Sequence, residues 1–196
     1  SFKEYSWQSK VWPGGFGKQV LGETWVSHWG IHGQQATRGH IEPRKVEHPA
    51  LRGVSQIFGT TDVYEADPPD SAEVLVLGEV VAGMSAEDPP ATGKKKRSNG
   101  IEQGLNDPMM PIVWVLKSTT PTGKQTTSLV TTMGSATDFL NEDLRRLVIN
   151  GAYWLTGIPL PEQPLNVQIV GKYEPSAFGF ETFRRGMKPS DFAWPP

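Results

Sequence analysis

Runs of apolar residues along the chain predict its β-strands. Residues 74–81 are apolar almost throughout, which is typical of a strand covered on both faces, as in α/β proteins. Residues 111–116 and 126–133 lie on either side of a Thr-Pro-Thr-Gly turn and predict an antiparallel hairpin. A further strand is predicted to end near Tyr64, because β-forming residues surround Gly59.

The clearest helical pattern begins at residue 141 and ends at Gly157. Apolar side chains recur there at helical spacing, and acidic residues occupy the first turn. Gly157, followed by a proline two residues later, is typical of a helix end. Short helices are predicted over residues 17–21 and from Pro49 to Gly53.

The remaining segments carry no regular pattern. Residues 1–50 are rich in glycine and tryptophan and predict an irregular but ordered segment, and residues 83–108 predict a long loop. The basic run at residues 94–97 is interpreted as a solvated part of that loop. His48, which precedes a proline, is interpreted as a structural turn residue. Residues 158–196 are rich in proline and aromatic residues and predict an extended tail packed on the domain.

The composition fits one domain and excludes several classes of partner. With 196 residues, the chain is long enough for one sizeable core. Its net charge is −2 and its pI is about 6.1, so we expect no general attraction to nucleic acids or membrane surfaces. No apolar stretch approaches the roughly 20 residues of a membrane span. The absence of cysteine excludes disulfides and Cys-ligated zinc. We expect a soluble protein, either cytoplasmic or exported with its signal peptide removed.

All four histidines lie between residues 28 and 48, which makes this window the first candidate for chemistry. Imidazole titrates near neutrality and is the commonest metal ligand. His28 and His32 are four residues apart, and Glu23 and His40 are near them in the sequence. We predict that His28 and His32 are acid–base residues or, together with Glu23, ligands of a divalent metal ion such as zinc. The alternative is structural, with the imidazoles packed against neighbouring tryptophans.

Aromatic and charged residues around the histidines are candidates for substrate binding. Trp25 and Trp29 either stack on the C–H faces of a sugar or pack in the core beneath a glycine-rich loop. Arg38 either orients a carboxylate or hydroxyl group of a ligand or forms an ordinary ion pair. Asp62 and Tyr64 lie near the end of a predicted strand, where open α/β sheets bind their ligands.

The loop at residues 134–138 follows another predicted strand and adds two residues to the candidate site. Asp138 is interpreted either as a helix or loop cap or as a catalytic carboxylate. Ser135 is a candidate for substrate binding. A serine-hydrolase mechanism is not favoured, since Ser135 lies outside any Gly-x-Ser-x-Gly sequence.

Several motifs occur in the same order as in a known family. They resemble segments of the ThuA-like (trehalose-utilisation) family, and the similarity is strongest over residues 109–157. The matching segments are GFGKQVLG at residues 15–22 ahead of His28 and His32, HPALRG at 48–53, TDVY at 61–64, PIVWV at 111–115, TTMG at 131–134 and RRLVINGAYWLTG at 145–157.

The resemblance implies a class I glutamine amidotransferase-like fold, which is a flavodoxin-like three-layer α/β sandwich. Residues 1–157 would form the ThuA-like domain, and residues 158–196 would form the tail on its surface. Members of the family carry a further βαβα portion before the matching segments. We therefore expect either the C-terminal two-thirds of a longer protein or a shortened fold completed by a partner chain.

The resemblance also implies a role in carbohydrate metabolism, through acid–base or metal-assisted chemistry on a disaccharide or keto-sugar. The chain departs from the family at Ser135, where the family has a histidine, and at Val63, where it has a glutamate. These losses favour an alternative, a non-catalytic carbohydrate-binding or complex-assembly module, either homo-oligomeric or docked on a partner through its tail. The tail residues suited to docking are Tyr173, Phe178, Phe180 and Phe183. The predicted site comprises His28, His32 and Asp62 as catalytic residues, Trp25, Trp29, Arg38, Tyr64, Ser135 and Asp138 as substrate-binding residues, and His28, His32 and Glu23 as metal ligands.

Overall fold

An antiparallel β-sheet lies at the centre of the computed structural model, which describes residues 2–120, 122–177, 179 and 185–193. The strands and the α-helix are β1 (Thr37–Ile41), β2 (Ile57–Gly59), β3 (Glu73–Val80), β4 (Lys94–Lys96), β5 (Glu102–Gly104), β6 (Met110–Thr119), β7 (Gln125–Thr131) and α1 (Glu142–Thr156). Five strands form the sheet in the order β2-β1-β3-β6-β7, and β4 and β5 form a separate hairpin.

The sequence predicted most of the longer elements correctly. β3 and β6 coincide with two of the apolar runs, and β6 and β7 form the predicted antiparallel hairpin. α1 begins after Asn141, whose side chain accepts a hydrogen bond from Leu144 N, and it ends at Gly157 in the left-handed conformation (φ 73°). In the described part of the chain, no helix combines the length and the apolar character needed to cross a membrane.

The predicted flavodoxin-like α/β sandwich is wrong. Every neighbouring pair of strands in the sheet is antiparallel, whereas a flavodoxin-like fold has parallel strands joined by helices on both faces. The sheet is curled, and α1 is the one α-helix among the described residues. These residues therefore do not form the three-layer architecture of the amidotransferases.

The two faces of the sheet are covered in different ways, which explains why the apolar run at residues 74–81 was compatible with the fold that the family resemblance implied. On one face, Val113 and Val115 of β6 belong to the main core together with Leu144 of α1. On the other face, Trp114 packs in a smaller cluster and donates from Nε1 to the carbonyl of Leu21 (2.8 Å). Leu21 ends the predicted short helix, Gly17–Leu21, which packs on β6 and β7. One short helix thus lies where a flavodoxin-like fold has a layer of long ones, and a continuous apolar strand does not reveal the difference.

Three strands lie in segments that the sequence predicts to be irregular. β1 lies within residues 1–50, yet it pairs with both β2 and β3 inside the sheet. Its sequence, Thr-Arg-Gly-His-Ile, contains a glycine and three polar residues, so it lacks a clear apolar alternation. β4 and β5 lie within the predicted loop at residues 83–108 and consist mainly of polar residues.

The chain after α1 contacts the rest of the fold through residues 158–177, which contain no helix or strand. Arg52 donates to the carbonyl of Pro161 (2.8 Å), and Arg145 Nε donates to the carbonyl of Val167 (2.8 Å). Val167 itself is buried. Of the predicted docking residues, Tyr173 is described and exposed, whereas Phe178, Phe180 and Phe183 lie outside the described residues.

Candidate functional site

Two irregular segments, distant in sequence, lie side by side and carry the candidate site. His28 faces Tyr64 across an isolated antiparallel bridge. The adjacent residues extend the contact, because Trp29 N, after His28, donates to the carbonyl of Val63, before Tyr64 (2.7 Å). This pairing places side chains from both segments on a common wall.

Asp62 connects the two histidines at this wall. Its Oδ2 lies 2.9 Å from His28 Nδ1, and its Oδ1 lies 3.1 Å from His32 Nδ1. The Asp62 side chain has no exposed surface, whereas those of His28 and His32 are 39% and 42% exposed. Since the carboxylate is the acceptor, a neutral imidazole in either position carries its proton on Nδ1 and its lone pair on Nε2.

Among the described residues, the ion pairs of the Asp62 carboxylate are with these two rings, and none is with a lysine or an arginine. A buried carboxylate is costly without compensating partners, so the two imidazoles are what compensates the burial of Asp62.

A cavity of about 560 Å³ opens next to the two histidines. We call it the histidine pocket, and it is lined by Trp25, His28, His32, Thr61, Tyr64, Thr132, Met133, Gly134 and Ser135. Trp25 is 61% exposed, and its ring meets the His28 and Tyr64 rings edge to face, with centroids 5.6 and 6.4 Å apart. The pocket therefore combines an accessible aromatic side chain with imidazole and hydroxyl groups.

Tyr64 contributes a hydroxyl group that stays protonated. Its burial raises the pKa of the phenol, and the nearby carboxylates of Asp62 and Asp138 raise it further. The hydroxyl therefore remains a hydrogen-bond donor at neutral and mildly alkaline pH.

Asp138 lies behind the pocket wall rather than in it. It is completely buried, and its carboxylate accepts hydrogen bonds from Thr61 N (3.2 Å), Thr61 Oγ1 (2.7 Å), Gly134 N (3.0 Å) and Ser135 N (3.1 Å). These bonds hold Thr61 and the Gly134-Ser135 loop in place. Ser135 lines the pocket, and its hydroxyl is hydrogen-bonded to Thr137 Oγ1 (2.9 Å).

Two predicted substrate-binding residues lie elsewhere. Trp29 is 1% exposed in the main core and donates from Nε1 to the carbonyl of Leu105 (2.8 Å). Arg38 forms an ion pair with Glu79 (2.6 Å) on the neighbouring strand, and His40 Nε2 lies 3.2 Å from the same carboxylate oxygen. Arg38 and His40 line a separate cavity of about 490 Å³.

Glu23, the predicted third metal ligand, does not belong to the cluster of side chains that could hold a metal ion. Its buried carboxylate accepts hydrogen bonds from Thr24 N (2.8 Å) and Asp67 N (2.9 Å) and forms an ion pair with Lys18. The potential ligand atoms that do lie together, all within 4.8 Å of one another, belong to His28, His32 and Asp62.

Sequence analysis did not single out Lys95, which supports the histidine segment. Its ammonium group donates to the carbonyls of His28 (2.7 Å) and Trp29 (3.1 Å) and lies 5.9 Å from the centre of the Trp29 ring. The sequence holds no signal for this role, because residues 94–96 are three identical lysines, and only the structure shows that Lys94 and Lys96 are exposed and Lys95 is half-buried.

No protein-family model, no curated protein and no solved structure matches the chain. The chemistry of the histidine pocket is therefore inferred from its residues, which offer a base at the imidazoles, a donor at Tyr64 and an aromatic surface at Trp25.

Proposed function

We propose that this chain acts on a carbohydrate, a disaccharide or a keto-sugar, by acid–base chemistry in the histidine pocket. The observation that carries the proposal is the buried Asp62 carboxylate, bonded to the Nδ1 atoms of His28 and His32 at the pocket wall. A carboxylate in this position orients an imidazole and stabilises the imidazolium that forms when the ring takes up a proton.

In the proposed reaction, His28 Nε2 removes a proton from a sugar hydroxyl, or from a carbon next to a keto group. Asp62 holds the resulting imidazolium. The Tyr64 hydroxyl, which stays protonated, donates a hydrogen bond to the substrate oxygen that gains negative charge. His32 shares Asp62 and is the second candidate for carrying the proton.

Carbohydrate is the favoured substrate class because the pocket has both the polar and the aromatic surfaces that sugars need. Trp25 offers an exposed ring at the pocket wall. Three residues with hydroxyl groups, Thr61, Tyr64 and Thr132, also line the pocket. The motifs that resemble the sugar-utilising ThuA-like family support the same class.

A second candidate function is non-catalytic carbohydrate binding. The exposure of Trp25 favours it, as does Ser135, a residue without an ionisable side chain where the family has a histidine. Both candidates predict sugar binding, and only the first predicts turnover.

The experiment measures sugar binding by tryptophan fluorescence and turnover by product analysis, with a disaccharide such as trehalose and its keto form as probes. We expect His28→Ala combined with His32→Ala to lower turnover about 100-fold or more. His40→Ala is the matched control, because His40 lies outside the histidine pocket, and it should retain turnover. Unchanged turnover in the double variant would contradict the acid–base proposal, and binding without turnover in the unaltered protein would favour the binding module.

A further inference from the structure

We infer that His28, His32 and Asp62 form a binding site for one divalent transition-metal ion of the zinc type. The inference rests on the proposed function, because it concerns the same pocket, and it adds a metal ion to that pocket. The three residues supply two imidazole nitrogens and one carboxylate oxygen, a donor set that suits zinc and its first-row neighbours.

The spacing of the donor atoms fits such an ion. Zinc binds imidazole nitrogen and carboxylate oxygen at about 2.0–2.2 Å, so two ligands of a tetrahedral site lie about 3.3 Å apart. Each Nδ1 atom already lies 2.9 or 3.1 Å from an Asp62 oxygen. All the potential ligand atoms lie within 4.8 Å of one another. Drawing them to about 3.3 Å around one ion would shorten the longest of these separations by at most about 1.5 Å, which rotation of the half-exposed imidazoles can supply.

The burial of the cluster also fits a cation. The Asp62 carboxylate is fully buried, and among the described residues its ion pairs are with the two imidazoles alone. A divalent ion between these three groups would give the carboxylate a cationic partner.

Asp138 provides a contrast, because its carboxylate is equally buried but not available. Its oxygens accept hydrogen bonds from three backbone N–H groups and one hydroxyl, and these donors cannot give up their protons. The imidazole partners of Asp62 can move the proton from Nδ1 to Nε2 and then bind a metal through Nδ1.

Three protein ligands leave at least one position open. His28 and His32 both line the histidine pocket, so the open position can be taken by water or by an oxygen of the substrate. An ion there would lower the pKa of a bound water or polarise a sugar carbonyl. With the metal bound, the imidazoles carry their protons on Nε2, so the bound water would replace His28 as the base.

The test titrates the metal-free protein with Zn²⁺ in a calorimeter and with Co²⁺ in a visible spectrometer. We expect one ion per chain and a cobalt absorption typical of nitrogen and oxygen ligands. His28→Ala, His32→Ala and Asp62→Asn should each weaken binding about 100-fold or more, since second-sphere changes alone cost 10–100-fold. Imidazole ¹⁵N spectra should show the proton moving from Nδ1 to Nε2.

The matched controls are Glu23→Gln and His40→Ala, which should bind the ion as the unaltered protein does. His32→Ala changes a half-exposed side chain, so it tests the site even if Asp62→Asn fails to fold. The inference would be overturned if the unaltered protein took up no ion, or if His28→Ala and His32→Ala bound the ion as tightly as the unaltered protein does. Sugar binding and turnover by the metal-free protein would support the proposed function without a metal ion. Metal uptake without sugar binding would support the metal site and contradict the proposed function.

Discussion

At the scale of single residues, the partners of a side chain decide its role more than its type does. Asp62 and Asp138 are both buried aspartates that the sequence marks as site candidates. Asp138 is saturated by a threonine and by backbone N–H groups, whereas Asp62 is bonded to two imidazoles. The partners of Asp62 lie 34 and 30 residues away in the sequence, so no local pattern could have separated the two roles.

His48 provides a residue-level prediction about stability and pH. Its Nδ1 accepts a hydrogen bond from Ala50 N (3.2 Å) at the start of a short 3-10 helix, Pro49–Leu51. Burial lowers the pKa of His48 and outweighs the opposing effect of Glu73. The folded state therefore prefers the neutral ring, and its stability falls as the pH decreases below the ordinary histidine pKa of 6.5.

The measurement is urea unfolding of the unaltered protein and of His48→Asn at pH 7.5 and 5.5. Asparagine keeps an acceptor at the start of the helix and does not titrate, so we expect the variant to lose less stability on acidification. His48→Ala should cost about 1 kcal/mol at pH 7.5. The same pH dependence in His48→Asn and in the unaltered protein would contradict this assignment.

At the scale of elements, the hairpin of β4 and β5 shows where charge conceals structure. The basic run at residues 94–97 is short and follows Gly93 and a proline-rich stretch, so the sequence predicts a solvated loop there. In the structure, Lys95 turns towards the His28 segment, and Arg97 lies 3.6 Å from Glu65 and 3.5 Å from Asp67. Hydrogen bonds from Lys95 to distant carbonyls and ion pairs of Arg97 with distant carboxylates thus order a segment that has little apolar character.

We therefore predict unequal effects of two neighbouring substitutions in β4. Lys95→Met should lower the free energy of unfolding by about 1–2 kcal/mol, because it removes charged hydrogen bonds to the carbonyls of His28 and Trp29. Lys94→Met, on the exposed side of the same strand, should change it by less than about 0.5 kcal/mol. Chemical denaturation measures both variants, and equal losses would show that Lys95 does not support the histidine segment.

At the scale of the whole molecule, the sequence predicts the elements better than their arrangement. Apolar runs located β3 and β6, the turn at residues 120–123 located β7 as the second strand of a hairpin, and the capping residues located α1. The parallel sheet was implied by the resemblance to the ThuA-like family. The apolar run of β3 agreed with it, because burial on both faces is visible in a sequence and the identity of the covering segment is not. β1 could not be predicted from its own residues, because they are mostly polar and the strand is held by its pairing with β2 and β3.

The candidate site was predicted to a similar extent. The structure brings His28, His32 and Asp62 together, with Trp25, Tyr64 and Ser135 lining the same pocket. Glu23, Trp29 and Arg38, in contrast, make their contacts elsewhere, although they are near the histidines in sequence. Nearness along an irregular chain is a poor guide to nearness in space, since each turn sends successive side chains in new directions.

The bridge between His28 and Tyr64 has a practical consequence for finding the ligand. A molecule that contacts both segments binds the folded chain and not the unfolded one, so it raises the free energy of unfolding. At a concentration 100 times its Kd, such a ligand adds about 2.7 kcal/mol to the free energy of unfolding. For a chain of this size, that is a rise of about 5–10 °C in Tm. A thermal-shift screen of sugars and metal ions, with His28→Ala as the negative control, can thus identify the natural ligand before any reaction is known.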